Sequence, residues 1–321
     1  MLVFNDADVR RLLSLPALID AMQDALVALS AGKVVQPLRN VMSWPATPDA
    51  TGYLFCKPVV HDGALVTKLI TLVDGNDRRG LPTLMATVVL MDASTGQPVA
   101  VMDGTWLTNL RTAAVSALAA RLLSPPSAGV VAMLGSGALA RTHALAMRAV
   151  RPVREIRVWS RNPDKVAACA AEIGGIACDT AEAAVRGADI VCTVTNATEP
   201  VLQGRWLAKG AVVTAVGAPR PDWRELDDEA MRGCVIADSR ESAQLESGDV
   251  MLSGARVHAE LGELLAGTRS WPRGETVVFK SLGQAVEDAA AARLVYAAAL
   301  AEAGQAEAGP RPGDRPGARS D

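Results

Sequence analysis

Residues 129–142, GVVAMLGSGALART, place a short apolar run, a Gly-Ser-Gly-Ala-Leu-Ala turn and an alanine-rich amphipathic segment in immediate succession. Such a stretch must pass from a buried strand into a helix within a few residues. Gly135 supplies the turn, Gly137 lets the backbone approach a pyrophosphate, and Ala140 takes the small position where the helix packs on the strand. The helix start then turns its unpaired N–H groups and partial positive charge toward the phosphates. The expectation is a dinucleotide site.

The surroundings of this loop set the architecture. After it, VVAML, EIRVWS, DIVCTVT, AVVTAVG, CVIAD and TVVFKS alternate with helical stretches such as ALARTHALAMRAV and DKVAACAAEI. Alternation of this kind predicts an α/β fold of the Rossmann type, a doubly wound parallel sheet with helices on both faces. Before it the pattern differs. One or two helices over 6–31 precede short β-like runs, YLFCKPVV, ALVTKLITLV, LMATVVLMD and PVAVMDG, which predict a mixed or antiparallel sheet. A helix from about Trp106 to Leu123 ends at SPPSAG. The expected division is therefore an α+β domain over 1–123, a nucleotide domain over 124–283, a helix over 284–303 that returns to the first domain, and a disordered tail over 304–321 built of Gly, Pro and charge.

Composition removes other classes. Thirty-two basic residues against 35 acidic ones, without a dense basic tract, give no footprint for nucleic acid. The N-terminus carries acids among its first ten residues and no long apolar run, so neither a signal peptide nor a membrane span is expected. Five scattered cysteines without a C-x-x-C fit free thiols in a reducing cytoplasm. The three histidines, His61, His143 and His258, match no metal spacing, so no metal is expected.

In a dinucleotide fold the second strand ends beside the adenosine ribose, where an acid selects NAD. Here IRVWS runs into Ser160, Arg161 and Asn162, with no carboxylate at the strand end. A guanidinium flanked by a hydroxyl and an amide suits a 2′-phosphate, which favours NADPH, with NADH as the weaker alternative. Asn162-Pro163-Asp164 also reads as a helix cap, which leaves Arg161 unexplained. Two further strand ends fall in the same cleft by topology: Thr195 with Asn196, and Val216 with Gly217.

Three cations interrupt segments otherwise built for burial: Arg39 in QPLRNVM, Lys68 in ALVTKLITLV, and Arg111 at the head of RTAAVSALAA. Buried charges must be paired. Internal acids such as Asp74, Asp92 and Asp103 are one candidate set of partners, and an anionic small molecule gathered by all three cations is the other.

Together Arg39, VTKLI, MDG-x4-NLRTAA and LGSGALA resemble the ornithine cyclodeaminase/mu-crystallin family. TEP at 198–200, AVGAPRPDWRELDDE at 215–229, ADSRESAQLESGDVMLSGA at 237–255, AELGELLAG at 259–267 and VFKSLGQAVEDAAAARLVY at 278–296 narrow the likeness to its ketimine reductase branch, over residues 1–297. The resemblance implies a homodimer whose first domain, completed by the last helix, forms both the dimer surface and the substrate cavity. It implies NADPH held by Ala138 and Leu139, by Ser160, Arg161, Asn162 and Lys165 at the 2′-phosphate, by Thr195, Asn196 and Val216, and by Ser281 near the nicotinamide. It assigns Arg39, Lys68 and Glu246 to the substrate, places Thr83 and Arg111 between substrate and cofactor, and gives Thr83 and Thr112 to the cofactor. Cyclodeaminases of the family carry an aspartate where this chain has Pro219, and relatives often show His or Gln where it has Leu84-Met85. Loss of that aspartate removes an acid/base group needed for deamination. The implied activity is NADPH-dependent reduction of cyclic imine carboxylates, with Lys68 or Glu246 serving the imine nitrogen. A cyclodeaminase or amino-acid dehydrogenase, or a non-catalytic NADPH-dependent binding protein, are the other readings the resemblance allows.

Overall fold

The computed structural model describes residues 1–73 and 75–308. Its larger sheet has eight strands, all paired in parallel. Their order is Val257–Glu260, Cys234–Ala237, Val277–Lys280, Val212–Ala215, Ile190–Thr193, Val130–Leu134, Glu155–Trp159 and Ile176–Ala177. The inner strands read as continuous apolar runs because both of their faces are covered. Along Val130–Leu134, Val130, Ala132 and Leu134 join one apolar cluster, while Val131 and Met133 join another on the opposite face. The two outermost strands, Ile176–Ala177 and Val257–Glu260, do not stand out in the sequence, being short and flanked by polar residues.

The chain steps from Val130–Leu134 outward through Glu155–Trp159 to Ile176–Ala177, then crosses back to Ile190–Thr193 on the other side of the starting strand. That reversal opens a crevice at the carboxyl ends of the strands, which is where open α/β sheets bind ligands. Gly135, Thr195, Val216, Asp238 and Ser281 all follow strand ends on this edge.

A second sheet has six strands in the order Leu2–Phe4, Pro98–Asp103, Leu84–Asp92, Ala64–Val73, Ala50–His61 and Asn40–Thr47. Its pairs are antiparallel except that Leu2–Phe4 runs parallel to Pro98–Asp103. Period-two alternation buries Val66, Lys68 and Ile70 and turns Leu69 outward. Helices Thr105–Leu123 and Ala285–Ala308 cover the inner face, and Leu15–Ser30 packs against both of them. One apolar cluster joins these helices to Val212, Ile236, Val277 and Phe279 of the parallel sheet, so the two sheets share a core.

The last helix is longer than its expected span of 284–303. The alanine-rich AEAGQAEA sequence carries it through Ala308, which corrects the expectation of disorder from residue 304. The remainder of the expected tail, and Asp74, lie outside the described residues.

Candidate functional site

The phosphate end of the crevice is built by backbone. Gly135 has φ +127°, and a Cβ there would stand 2.7 Å from Val194 Cγ2 and 2.8 Å from Val194 O, so only glycine makes this turn. Helix Ala138–Val150 begins at Gly137 with no side-chain cap, and a Cβ on Gly137 would point into open space. An uncapped helix start with open space before it fits a diphosphate. Across the turn, Ser136 Oγ and Ser160 Oγ are hydrogen-bonded at 2.8 Å, and Arg161, Asn162 and Lys165 are exposed beyond the end of Glu155–Trp159. Asn162 caps helix Pro163–Ile173 by accepting from the Lys165 N–H, so its capping role is real and its side-chain oxygen is occupied by it.

Deeper in the crevice lies a cavity of about 160 Å3. Leu139, Thr195, Asn196, Val216 and Ser281 line it from the parallel sheet, and Arg39, Lys57, Arg111, Thr112 and Leu84 from the other side. Pro219 stands on its wall, so no carboxylate enters from that position. Thr83 is not among the lining residues; its carbonyl accepts from Val73 N across the sheet. Lys68 and Glu246 do not line this cavity either, and Met85 lies exposed.

The cations hold internal partners that the sequence did not indicate. Lys68 Nζ is 2.5 Å from Asp288 Oδ1. Arg111 donates from Nε to the same oxygen at 2.8 Å and from Nη1 to Glu287 Oε2 at 3.0 Å. Arg39 pairs with both oxygens of Glu246 at 2.9 Å and donates to Leu282 O, leaving its Nη1 edge for a ligand. The candidate partners nearer in sequence are spent locally. Asp92 accepts from Ser94 and Thr95, and Asp103 from Thr105 N.

Lys57 was read only as part of a strand, yet it belongs to this cluster. It faces Lys68 directly in the strand register, donates to Gly283 O, and has its Nζ 3.7 Å from Asp288 Oδ2. A Cβ on Gly283 would meet the Arg111 guanidinium at 2.5 Å, so glycine (φ +69°) is what lets the loop lie against both cations. Three basic side chains, Lys57, Lys68 and Arg111, thus face two buried carboxylates, and of the five only Lys57 and Arg111 line the cavity. Burial, with Arg111 adding to it, pushes the Lys68 ammonium well below its ordinary range. Burial also lowers Lys57, to about 8, against the pull of Asp288. Burial alone would raise Asp288, but Lys68, Arg111 and Lys57 outweigh it and hold the carboxyl below the usual range. Glu287 is lifted by burial to about 7 despite Arg111.

Two buried acids position the walls. Asp238 accepts from Ser239 N, Ser281 Oγ, Leu282 N, Gly283 N and Gln284 Nε2, fixing the loop whose carbonyls hold Arg39 and Lys57. Glu225 accepts from Thr193 Oγ1, from Thr195 N and Oγ1, and from Gly217 N, tying two strand ends together. Ser281, expected at the nicotinamide, therefore lines the cavity with its hydroxyl turned to Asp238.

A second cavity, of about 170 Å3, lies on the far side of Arg39, Lys57 and Gly283, and Glu246 lines it.

The family model for ornithine cyclodeaminase/mu-crystallin matches residues 1–303. The chain belongs to that family. Within the ornithine cyclodeaminase/mu-crystallin family it is 45% identical over 299 residues to a ketimine reductase mu-crystallin of Macropus fuliginosus, covering 90% of this chain and 94% of the relative. It is 32% identical to a delta(1)-pyrroline-2-carboxylate reductase of Bacillus cereus, covering 94% and 97% of the two chains. Among solved structures, the delta(1)-pyrroline-2-carboxylate reductase of Thermococcus litoralis, in complex with NADH and L-proline, superposes with a TM-score of 0.88 at 31% identity, covering 94% of this chain and 98% of that one.

Proposed function

We propose that the protein is an NADPH-dependent reductase of cyclic ketimine carboxylates such as 1-piperideine-2-carboxylate and 1-pyrroline-2-carboxylate, giving pipecolate and proline. The observation that carries this reading is the single cavity in which Arg39, Lys57 and Arg111 meet the carboxyl ends of the parallel strands, with Pro219 at the wall. Relatives named for reduction of such imines, and a neighbour holding NADH and L-proline, support it.

Bound NADPH supplies the hydride for the imine carbon. The protein's share is placement and charge. The Nη1 edge of Arg39, with Arg111 behind it, takes the substrate carboxylate and sets the ring against the side of the cavity lined by Leu139, Thr195 and Val216. The apolar wall of Phe55, Ile70, Leu72 and Leu84 receives the ring methylenes and keeps water away. Thr83 has no place in this account. Glu246 acts through Arg39, whose guanidinium it orients. A homodimer belongs to the same reading. The outer face of the antiparallel sheet leaves Val60, Leu69 and Met85 each 38% exposed, an apolar surface that a second copy would cover.

Purified protein mixed with NADPH and 1-piperideine-2-carboxylate should oxidise the cofactor rapidly, followed by absorbance. Cofactor binding without turnover on any cyclic imine would leave a binding role instead, and ammonia release from ornithine with NAD would mark a cyclodeaminase.

Cofactor choice has its own test. Arg161 is the exposed cation at the strand end, where no carboxylate stands to receive a ribose hydroxyl. Charge-assisted bonds to a phosphate are worth about 1.5–3 kcal/mol. Arg161→Ala should therefore weaken NADPH roughly ten- to hundredfold while changing NADH by less than about threefold, as read by fluorescence titration. Equal losses for both cofactors would remove Arg161 from the 2′-phosphate site.

A further inference from the structure

Every strongly buried cation near the cavity has a partner, but they differ in what else they can reach. Lys68 is fully buried, bonded to Asp288, and lines neither cavity. Arg111 spends two edges on Glu287 and Asp288, and a guanidinium does not release its proton near neutrality. Glu287 lines neither cavity. Lys57 alone among the titratable amines and acids of the cluster lines both cavities, as part of the wall between them.

Its fixed contacts leave it free to act. One Nζ–H is held by Gly283 O, on the loop that Asp238 anchors. Asp288 Oδ2, 3.7 Å away, is buried and accepts no hydrogen bond. Asp288 lines neither cavity, so Lys57 is the member of this pair that a ligand's imine nitrogen can reach, and its ammonium is a donor.

Resting on the reductase reading above, we propose that Lys57 is the catalytic residue that protonates the imine nitrogen, and that the second cavity is its route for taking a proton back from solvent. As the hydride reaches carbon, the C=N π pair moves onto nitrogen. The new N–H bond forms as a Lys57 Nζ–H bond breaks, leaving a neutral amine. NADPH is oxidised to NADP+ by two electrons, the imine is reduced by the same two, and one solvent proton restores Lys57. The groups facing Lys57 are Arg39 from the segment before the first long strand, Lys68 from the adjoining strand, Arg111 from the buried helix, and Glu287 and Asp288 from the last helix. Glu246 acts on it through Arg39, and Asp238 through the Gly283 loop. Burial with Arg39 and Arg111 outweighs Asp288 and brings the ammonium to about 8, near the operating pH that suits a general acid.

The test uses the full chain with Lys57→Met and Lys57→Arg. General acids contribute roughly 10²–10⁴-fold. Both variants should lose at least about a hundredfold in kcat with 1-piperideine-2-carboxylate while NADPH Kd stays within about twofold, because the arginine keeps the charge but not the proton transfer. The wild-type kcat should fall as pH rises through about 8, where Lys57 gives up its proton, and the variants should lack that fall. A readout independent of turnover is competitive acylation of the wild-type protein followed by mass spectrometry. The Lys57 peptide should reach half-maximal labelling well below the ordinary lysine value of about 10.4. Retention of kcat within threefold in either variant, or labelling of Lys57 at the ordinary lysine value, overturns the assignment while leaving the reductase standing. A wild-type protein that leaves NADPH unoxidised with every cyclic imine carboxylate overturns the reductase reading and this assignment with it.

Discussion

Asp288→Asn should lower the free energy of unfolding by about 3–5 kcal/mol, the usual cost of removing one partner from a buried ion pair. The carboxylate serves three cations at once: Lys68 at 2.5 Å, Arg111 at 2.8 Å and Lys57 at 3.7 Å. An amide of the same shape preserves packing and removes only the charge, so the loss measures electrostatics rather than a cavity. Denaturant unfolding followed by circular dichroism gives the number, and a change below about 1 kcal/mol would mean that the cations do not depend on this carboxylate. The pH dependence has a definite sign. Asp288 is held below its unfolded value of about 3.9, so its contribution is complete above that pH and is lost as pH falls toward the folded value. Wild type and variant should therefore converge in strong acid and reach their full separation by about pH 4.

Arg39→Ala is expected to reduce kcat/KM for a cyclic imine carboxylate by roughly thirty- to several-thousandfold, equivalent to about 2–5 kcal/mol for truncating one partner of a desolvated charge pair. Cofactor affinity should remain within about twofold, because Arg39 lies outside the glycine turn and the parallel-strand ends and pairs with Glu246 and Leu282 O instead. The side chain is fixed before substrate arrives. Glu246 holds Nε and one Nη2 bond, and Leu282 O takes another, so the guanidinium plane cannot turn. Arg39→Lys should recover little, since a point charge cannot bond the carboxylate of Glu246 through two edges and present a third. A kcat/KM within threefold of wild type in Arg39→Ala would remove the residue from the substrate clamp.

The cofactor half of the site was far more legible in the sequence than the substrate half, for a physical reason. A phosphate site is made by one continuous strand, turn and helix, so Gly135, Gly137 and Ala140 carry it within six consecutive residues. The position of Ser160 and Arg161 directly after a strand is legible in the same way. The substrate side is assembled from distant segments. Arg39, Lys68 and Arg111 were visible as cations in apolar surroundings, but their acids lie 207, 220 and 177 positions away. Asp92 and Asp103 looked like partners only because they were close in sequence. Lys57 sits in YLFCKPVV, whose mixed pattern reads as a half-buried strand, and only the pairing of Lys57 opposite Lys68 reveals that it faces inward. The strands Leu2–Phe4 and Ile176–Ala177 were missed because two or three residues show no period.

Asp288 and Glu287 stand on the last helix, Ala285–Ala308, which also covers the inner face of the antiparallel sheet. During synthesis Lys68 leaves the ribosome 220 residues before Asp288, an interval on the order of 10–45 s at ordinary translation rates. Throughout that wait the ammonium has no acid to enter the core with, and the sheet lacks the helix that closes it. The strands from Val130–Leu134 to Val212–Ala215, with the glycine turn, can form while this is still pending, but Val277–Lys280, which joins Val212–Ala215 to Cys234–Ala237, arrives only just before the final helix. Nascent chains should thus close the parallel sheet, the shared hydrophobic core and the charged cluster together, as Val277–Lys280 and the final helix arrive in succession.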